Sequence, residues 1–144
     1  MGKPLVVSAC LAGVRCRYDG RDKADPGVVA LVDEGVAVPV CPELLGGLAT
    51  PRRPAEIVGG DGDDVLDGRA RVVEDTGADV TAQYLAGARR MLAIATAVGA
   101  SRAVLQERSP SCGARRRYDG SFSGTLVDGV GVAAALLRRN GIEV

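Results

Sequence analysis

Short apolar runs alternate with longer stretches of helical periodicity along this chain of 144 residues. Pro4-Leu5-Val6-Val7-Ser8-Ala9, Gly35-Val36-Ala37-Val38-Pro39-Val40 and Ala103-Val104-Leu105-Gln106 are brief and rich in β-branched residues, as buried strands are. Between the first two, Asp25-Pro26 reads as an N-cap followed by proline at the first helical position, and Gly35 ends the helix begun there. A longer helix is predicted from Asp79 to Gly99, where Val80, Tyr84, Ala88, Met91, Leu92, Ala95 and Val98 recur mostly at steps of three or four. A third is expected from about Asp128 to Arg139, closed by Asn140-Gly141, with Ile142 to Val144 as a short last strand. From Ala49 to Asp79 the density of Pro, Gly and Asp predicts loop. One hairpin is expected within it, Val65-Leu66 against Arg69 to Val73 around Asp67-Gly68.

Strands alternating with helices predict an α/β fold. The expectation is one domain over residues 1–144, a three-layer sandwich with a mainly parallel, Rossmann-like sheet.

Composition narrows the function. The hydrophobic and charged fractions, 47% and 25%, are those of a globular chain and exclude intrinsic disorder. No apolar run reaches the roughly 18 residues of a membrane span, and Met1-Gly2-Lys3-Pro4 leaves no room for a secretory signal, so a cytoplasmic protein is expected. Eighteen basic residues against 18 acidic ones remove the electrostatic case for general nucleic-acid binding. The absence of histidine excludes Ser-His-Asp triads, Cys-His dyads and His-ligated zinc.

The four cysteines are Cys10, Cys16, Cys41 and Cys112, and none forms a Cys-x-x-Cys. Cys10 closes the first strand, Cys41 the second, and Cys112 follows the third within six residues of Gln106. Ligands of open α/β sheets sit beyond the carboxyl ends of the strands. A metal or cluster held by thiolates from three loops is therefore one reading, and buried cysteines acting as small hydrophobes are the other. Cys16, in an arginine-rich loop, fits a fourth ligand, a reactive thiol or neither.

Cys41-Pro42-Glu43 looks like a helix start, where the dipole favours a thiolate and Glu43 stands near enough to move a proton. Glu43 also suits a plain helix-dipole role. Glu107-Arg108-Ser109-Pro110-Ser111-Cys112-Gly113 is a tight polar loop offering the Ser109 and Ser111 hydroxyls beside a thiol. Arg17-Tyr18-Asp19-Gly20 recurs as Arg117-Tyr118-Asp119-Gly120, an echo that hints at a shared site. No P-loop or Gly-x-Gly-x-x-Gly is present.

Ser8-Ala9-Cys10 through Cys16-Arg17-Tyr18-Asp19-Gly20 resembles the opening signature of the bacterial thiouracil desulfidase family, long described as a domain of unknown function. Cys41-Pro42-Glu43 with Gly46-Gly47-Leu48 and Pro51-Arg52 resembles its second signature, and Glu107 to Gly113 with Tyr118-Asp119-Gly120 its third. Asp79-Val80-Thr81 and Asn140-Gly141-Ile142 also match, so the resemblance spans essentially the whole chain. It implies a [4Fe-4S] cluster held by Cys10, Cys41 and Cys112, with Glu43 and Ser109 assisting catalysis. The implied activity is non-redox desulfuration of a thiolated pyrimidine such as 2-thiouracil, releasing hydrosulfide. Asp19 and Asp119 are the next candidates for the base. The competing reading is a non-catalytic zinc- or cluster-binding module with a closed four-cysteine site completed by Cys16.

Overall fold

The computed structural model describes residues 3–144. Three strands, β1 (Leu5–Ser8), β2 (Ala37–Val40) and β5 (Arg102–Val104), form a parallel sheet in the order β2-β1-β5. The register pairs Leu5 with Ala37 on one side and with Arg102 on the other. Five helices accompany them: α1 (Pro26–Asp33), α2 (Pro42–Leu45), α3 (Gly62–Leu66), α4 (Thr81–Val98) and α5 (Val132–Arg139). Two antiparallel pairs complete the chain, β3 (Ala55–Val58) with β4 (Arg71–Glu74) and β6 (Arg116–Tyr118) with β7 (Leu126–Asp128).

The period of two along β1 builds the layers. Val6 and Val7 are both fully buried, on opposite faces. Val7 packs with Val28 of α1 and with Ala37. Val6 belongs to the main core with Tyr84 and Met91 of α4 and Val132 and Leu137 of α5. The α/β expectation therefore stands, with helices on both faces of a parallel sheet. Because β2 lies on one side of β1 and β5 on the other, the chain reverses direction across the sheet at β1, and a crevice opens there.

The predicted helices form with shifted ends. Asp25 caps α1 by accepting from the Gly27 and Val28 amides, at 2.9 and 3.2 Å, and Pro26 opens it. Gly99, at φ 73°, ends α4 in the left-handed conformation. α5 starts four residues later than expected, because Asp128 ends β7 and Gly131 takes the N-cap position. The last strand is reduced to one bridge, between Arg102 and Glu143. The hairpin expected around Asp67-Gly68 does not form. Val65-Leu66 is helical, and β4 pairs with β3, which falls in the segment expected to be loop. The reason is a capping box, in which Asp61 accepts from the Asp64 amide while the Asp64 carboxylate accepts from the Asp61 amide.

Candidate functional site

Each of the three strand ends delivers a thiol by a different device. β1 runs into a 3₁₀ turn (Ala9–Ala12) that carries Cys10, and the Cys10 carbonyl accepts from the Gly13 and Lys23 amides at 3.2 and 2.9 Å. These bonds fold residues 13–23 back over the turn. β2 ends one residue before Cys41, which caps α2 with Pro42 at its first position. α2 then crosses α4 at backbone contact. A Cβ on Gly46 would lie 2.0 Å from the Gln83 carbonyl oxygen, and one on Gly87 would lie 1.9 Å from that of Pro42. Only glycine permits this approach.

Cys112 is placed by the loop after β5. Ser109 Oγ accepts from the Ser111 and Cys112 amides, both at 3.1 Å. Glu107 Oε1 accepts from the Arg115 and Arg116 amides at 2.8 and 2.9 Å. Burial opposes ionisation of Glu107, but these amide bonds outweigh it and hold its carboxyl below the ordinary value. The Pro110 carbonyl accepts from Val132 at 2.7 Å, and that of Ser111 accepts from Ala133 at 2.9 Å and Ala134 at 3.1 Å. The first amides of α5 are thus satisfied by the loop that holds Cys112.

All four cysteines meet at one cavity of about 840 Å³, which Glu43 and Ser109 also line. Cys10, Cys16 and Cys112 are buried and Cys41 is half-buried, with no disulfide. Cys16 packs with Cys10, and Cys41 lies against the pair. The hydrogen bond of Cys16 to Cys10 holds Cys10 below the usual thiol range and pushes Cys16 up to about 11. Cys41 is raised by Cys16 and then by burial, and Cys112 chiefly by burial. The thiolate expected from the start of α2 is therefore not favoured at Cys41. One helical turn supplies a weak dipole, and the neighbouring thiols and Glu43 oppose a further negative charge.

This donor set suits a cationic metal–sulfur centre, which would relieve the crowding of anions. Among the described residues, no three His, Cys, Asp or Glu groups close on a single metal-ion position. Thiols are the donors that thiolate-bound metal–sulfur clusters use, and three of them come to this cavity from separate strand ends.

Glu43 is held from two sides. Arg52 Nη2 donates to Oε2 and the Tyr84 hydroxyl donates to Oε1, each at 2.5 Å. Burial, followed by the Glu43 charge, keeps the Tyr84 phenol well above its ordinary value and so protonated. Arg52 is fixed further by the Ala49 carbonyl and Thr50 Oγ1, both at 3.2 Å. Ser111, the other hydroxyl of the Cys112 loop, is buried without a partner for its Oγ. The two Arg-Tyr-Asp-Gly segments share a local design, since Asp19 accepts from the Arg21 amide and Asp119 from that of Ser121. Tyr18 and Tyr118 line the cavity, while both aspartates spend an oxygen on their own turns.

Tyr84 and Glu56 line the cavity and Arg52 binds Glu43 there; beyond the Pro51-Arg52 signature, the sequence does not mark them as a group. Tyr84 carries the one clue, a lone aromatic on a helix face otherwise built from small and aliphatic residues.

A family model described as 2-thiouracil desulfurase matches residues 5–144. An uncharacterized protein of Bacillus subtilis (strain 168), YbbK, is 51% identical over 140 residues, covering 97% of this chain and 93% of that protein. Among solved structures, a [4Fe-4S]-dependent thiouracil desulfidase, TudS, superposes with a TM-score of 0.87 at 44% identity, covering 99% of this chain and 89% of that one.

Proposed function

The chain belongs to the 2-thiouracil desulfurase family, and we propose that it removes sulfur from a thiolated pyrimidine such as 2-thiouracil, hydrolytically and without net redox change. The carrying observation is that three thiols from three strand ends line one cavity with the Glu43 carboxylate. Cys10, Cys41 and Cys112 would hold a [4Fe-4S] cluster there, and the similar TudS is [4Fe-4S]-dependent. Bound through three cysteines, such a cluster supplies one iron without a protein ligand, a thiophilic Lewis acid toward a thiocarbonyl sulfur.

The protein's own part is proton handling and orientation. The overall change converts a C=S bond and water into a C=O bond and hydrosulfide with a proton. Glu43 accepts the proton of the attacking water, and Arg52 and Tyr84 fix the carboxylate while it does so. Ser109 Oγ already accepts two amides, so its hydroxyl proton is free to donate to the substrate. No histidine is needed at any step.

The packing of Cys16 with Cys10 and Cys41 favours the closed four-cysteine site as the second reading. Anaerobic purification, iron and sulfide analysis and a 2-thiouracil assay test both. Four irons and four sulfides per chain with hydrosulfide release support the desulfidase. A single zinc without turnover overturns it.

A further inference from the structure

Glu56 lies on β3 between Ala55 and Ile57, and it is a buried charged residue, 9% exposed. Its Oε1 accepts from the Gly120 amide at 3.0 Å and the Phe122 amide at 3.2 Å. Its Oε2 has no partner among the described residues, and no arginine or lysine pairs with the carboxylate. That oxygen is not among the buried atoms sealed off without a partner, and Glu56 lines the same cavity as the cysteines and Glu43. One oxygen is therefore anchored, and the other stays accessible on a residue of the cavity wall.

A buried carboxylate with no cation is costly, and a carboxylate can only accept. A donor arriving with the ligand offsets that cost. Pyrimidines carrying oxo or thioxo groups present ring N–H donors beside the carbon that bears oxygen or sulfur. We propose that Glu56 is a substrate-binding residue whose Oε2 accepts a ring N–H of the pyrimidine, fixing which carbon faces the thiols. The assignment rests on the desulfidase reading of the cavity.

Glu56→Gln separates recognition from loop support. The Gln carbonyl oxygen would still accept the Gly120 and Phe122 amides, because its NH2 group would set donors against donors there. The NH2 then faces the cavity and meets the ring N–H. In the anaerobically prepared holoprotein, uracil binding by calorimetry should weaken roughly 10–100-fold in E56Q, and KM for 2-thiouracil should rise in step. Iron content and the thermal midpoint should stay unchanged. Wild-type protein should also discriminate between uracil and its N-methylated derivatives, and E56Q should lose that discrimination.

Unchanged uracil affinity and KM in E56Q, or an equal loss for methylated and unmethylated ligands, overturns the assignment while leaving an active wild type to support the desulfidase reading. A wild type that binds uracil through Glu56 but releases no hydrosulfide overturns that reading and keeps this one. A wild type that does neither overturns both.

Discussion

The Tyr84 hydroxyl reaches the Glu43 carboxylate across 41 positions of sequence, tying the middle of α4's first turns to the start of α2. The contact exists because Gly46 and Gly87 let the two helices touch backbone to backbone. A core residue and a candidate base thus share one hydrogen bond.

Glu43→Gln keeps size and a hydrogen-bonding group but removes the proton acceptor. Turnover of 2-thiouracil should fall roughly 100-fold or more, with cluster absorbance unchanged. Near-normal turnover in the loaded variant would assign Glu43 to the helix dipole and move the search to Asp19 and Asp119.

Tyr84→Phe removes one donor to Glu43 and keeps the buried ring. Stability should drop by about 1.5–3 kcal/mol, the range for a hydrogen bond to a charged group, read from the urea midpoint at constant m. A change below about 0.5 kcal/mol would show that Arg52 alone holds the carboxylate.

Cys16→Ser should retain its iron and most of its activity, whereas Cys112→Ser should lose the cluster. Iron analysis of both proteins decides. Equal loss in the two would favour the closed four-cysteine site.

Gly87→Ala places a Cβ against the Pro42 carbonyl and must push α2 away from α4. The expected cost is about 3 kcal/mol or more, read from thermal unfolding, with turnover falling because Glu43 and Cys41 move with α2. A wild-type midpoint would mean the helices separate without penalty.

Glu107 supplies a pH dependence. Its folded pKa is depressed, so its contribution to stability is present above the unfolded carboxylate range and is lost as pH falls through the folded value. Glu107→Gln should flatten that acid limb in urea titrations carried down through and below the ordinary carboxylate range. An unchanged limb would place the acid sensitivity elsewhere.

Much of the site was legible because it lies at strand ends. Cys10 and Cys41 follow apolar runs directly, and Pro42 marks a helix start by its own chemistry. What failed was non-local. Asp67-Gly68 carries a hairpin signal, yet Gly68, at φ 78°, follows the end of α3, and the true partner of β4 lies on the far side of that helix. The start of α5 was misplaced because the partners of its first amides, the Pro110 and Ser111 carbonyls, are about 20 residues away. Tyr84 and Glu56 are unremarkable in their own segments and acquire roles only where the chain folds around one cavity.

The bonds from the Cys112 loop to α5 make the helix and the loop a single opening unit. The Val132, Ala133 and Ala134 amides can exchange with solvent only when the Pro110 and Ser111 carbonyls let go, and those carbonyls move with the backbone that carries Cys112. Whatever Cys112 binds therefore raises the free energy of opening at those amides. Val132 and Leu137 belong to the main core, so occupancy of the site bears on a helix that the core itself holds.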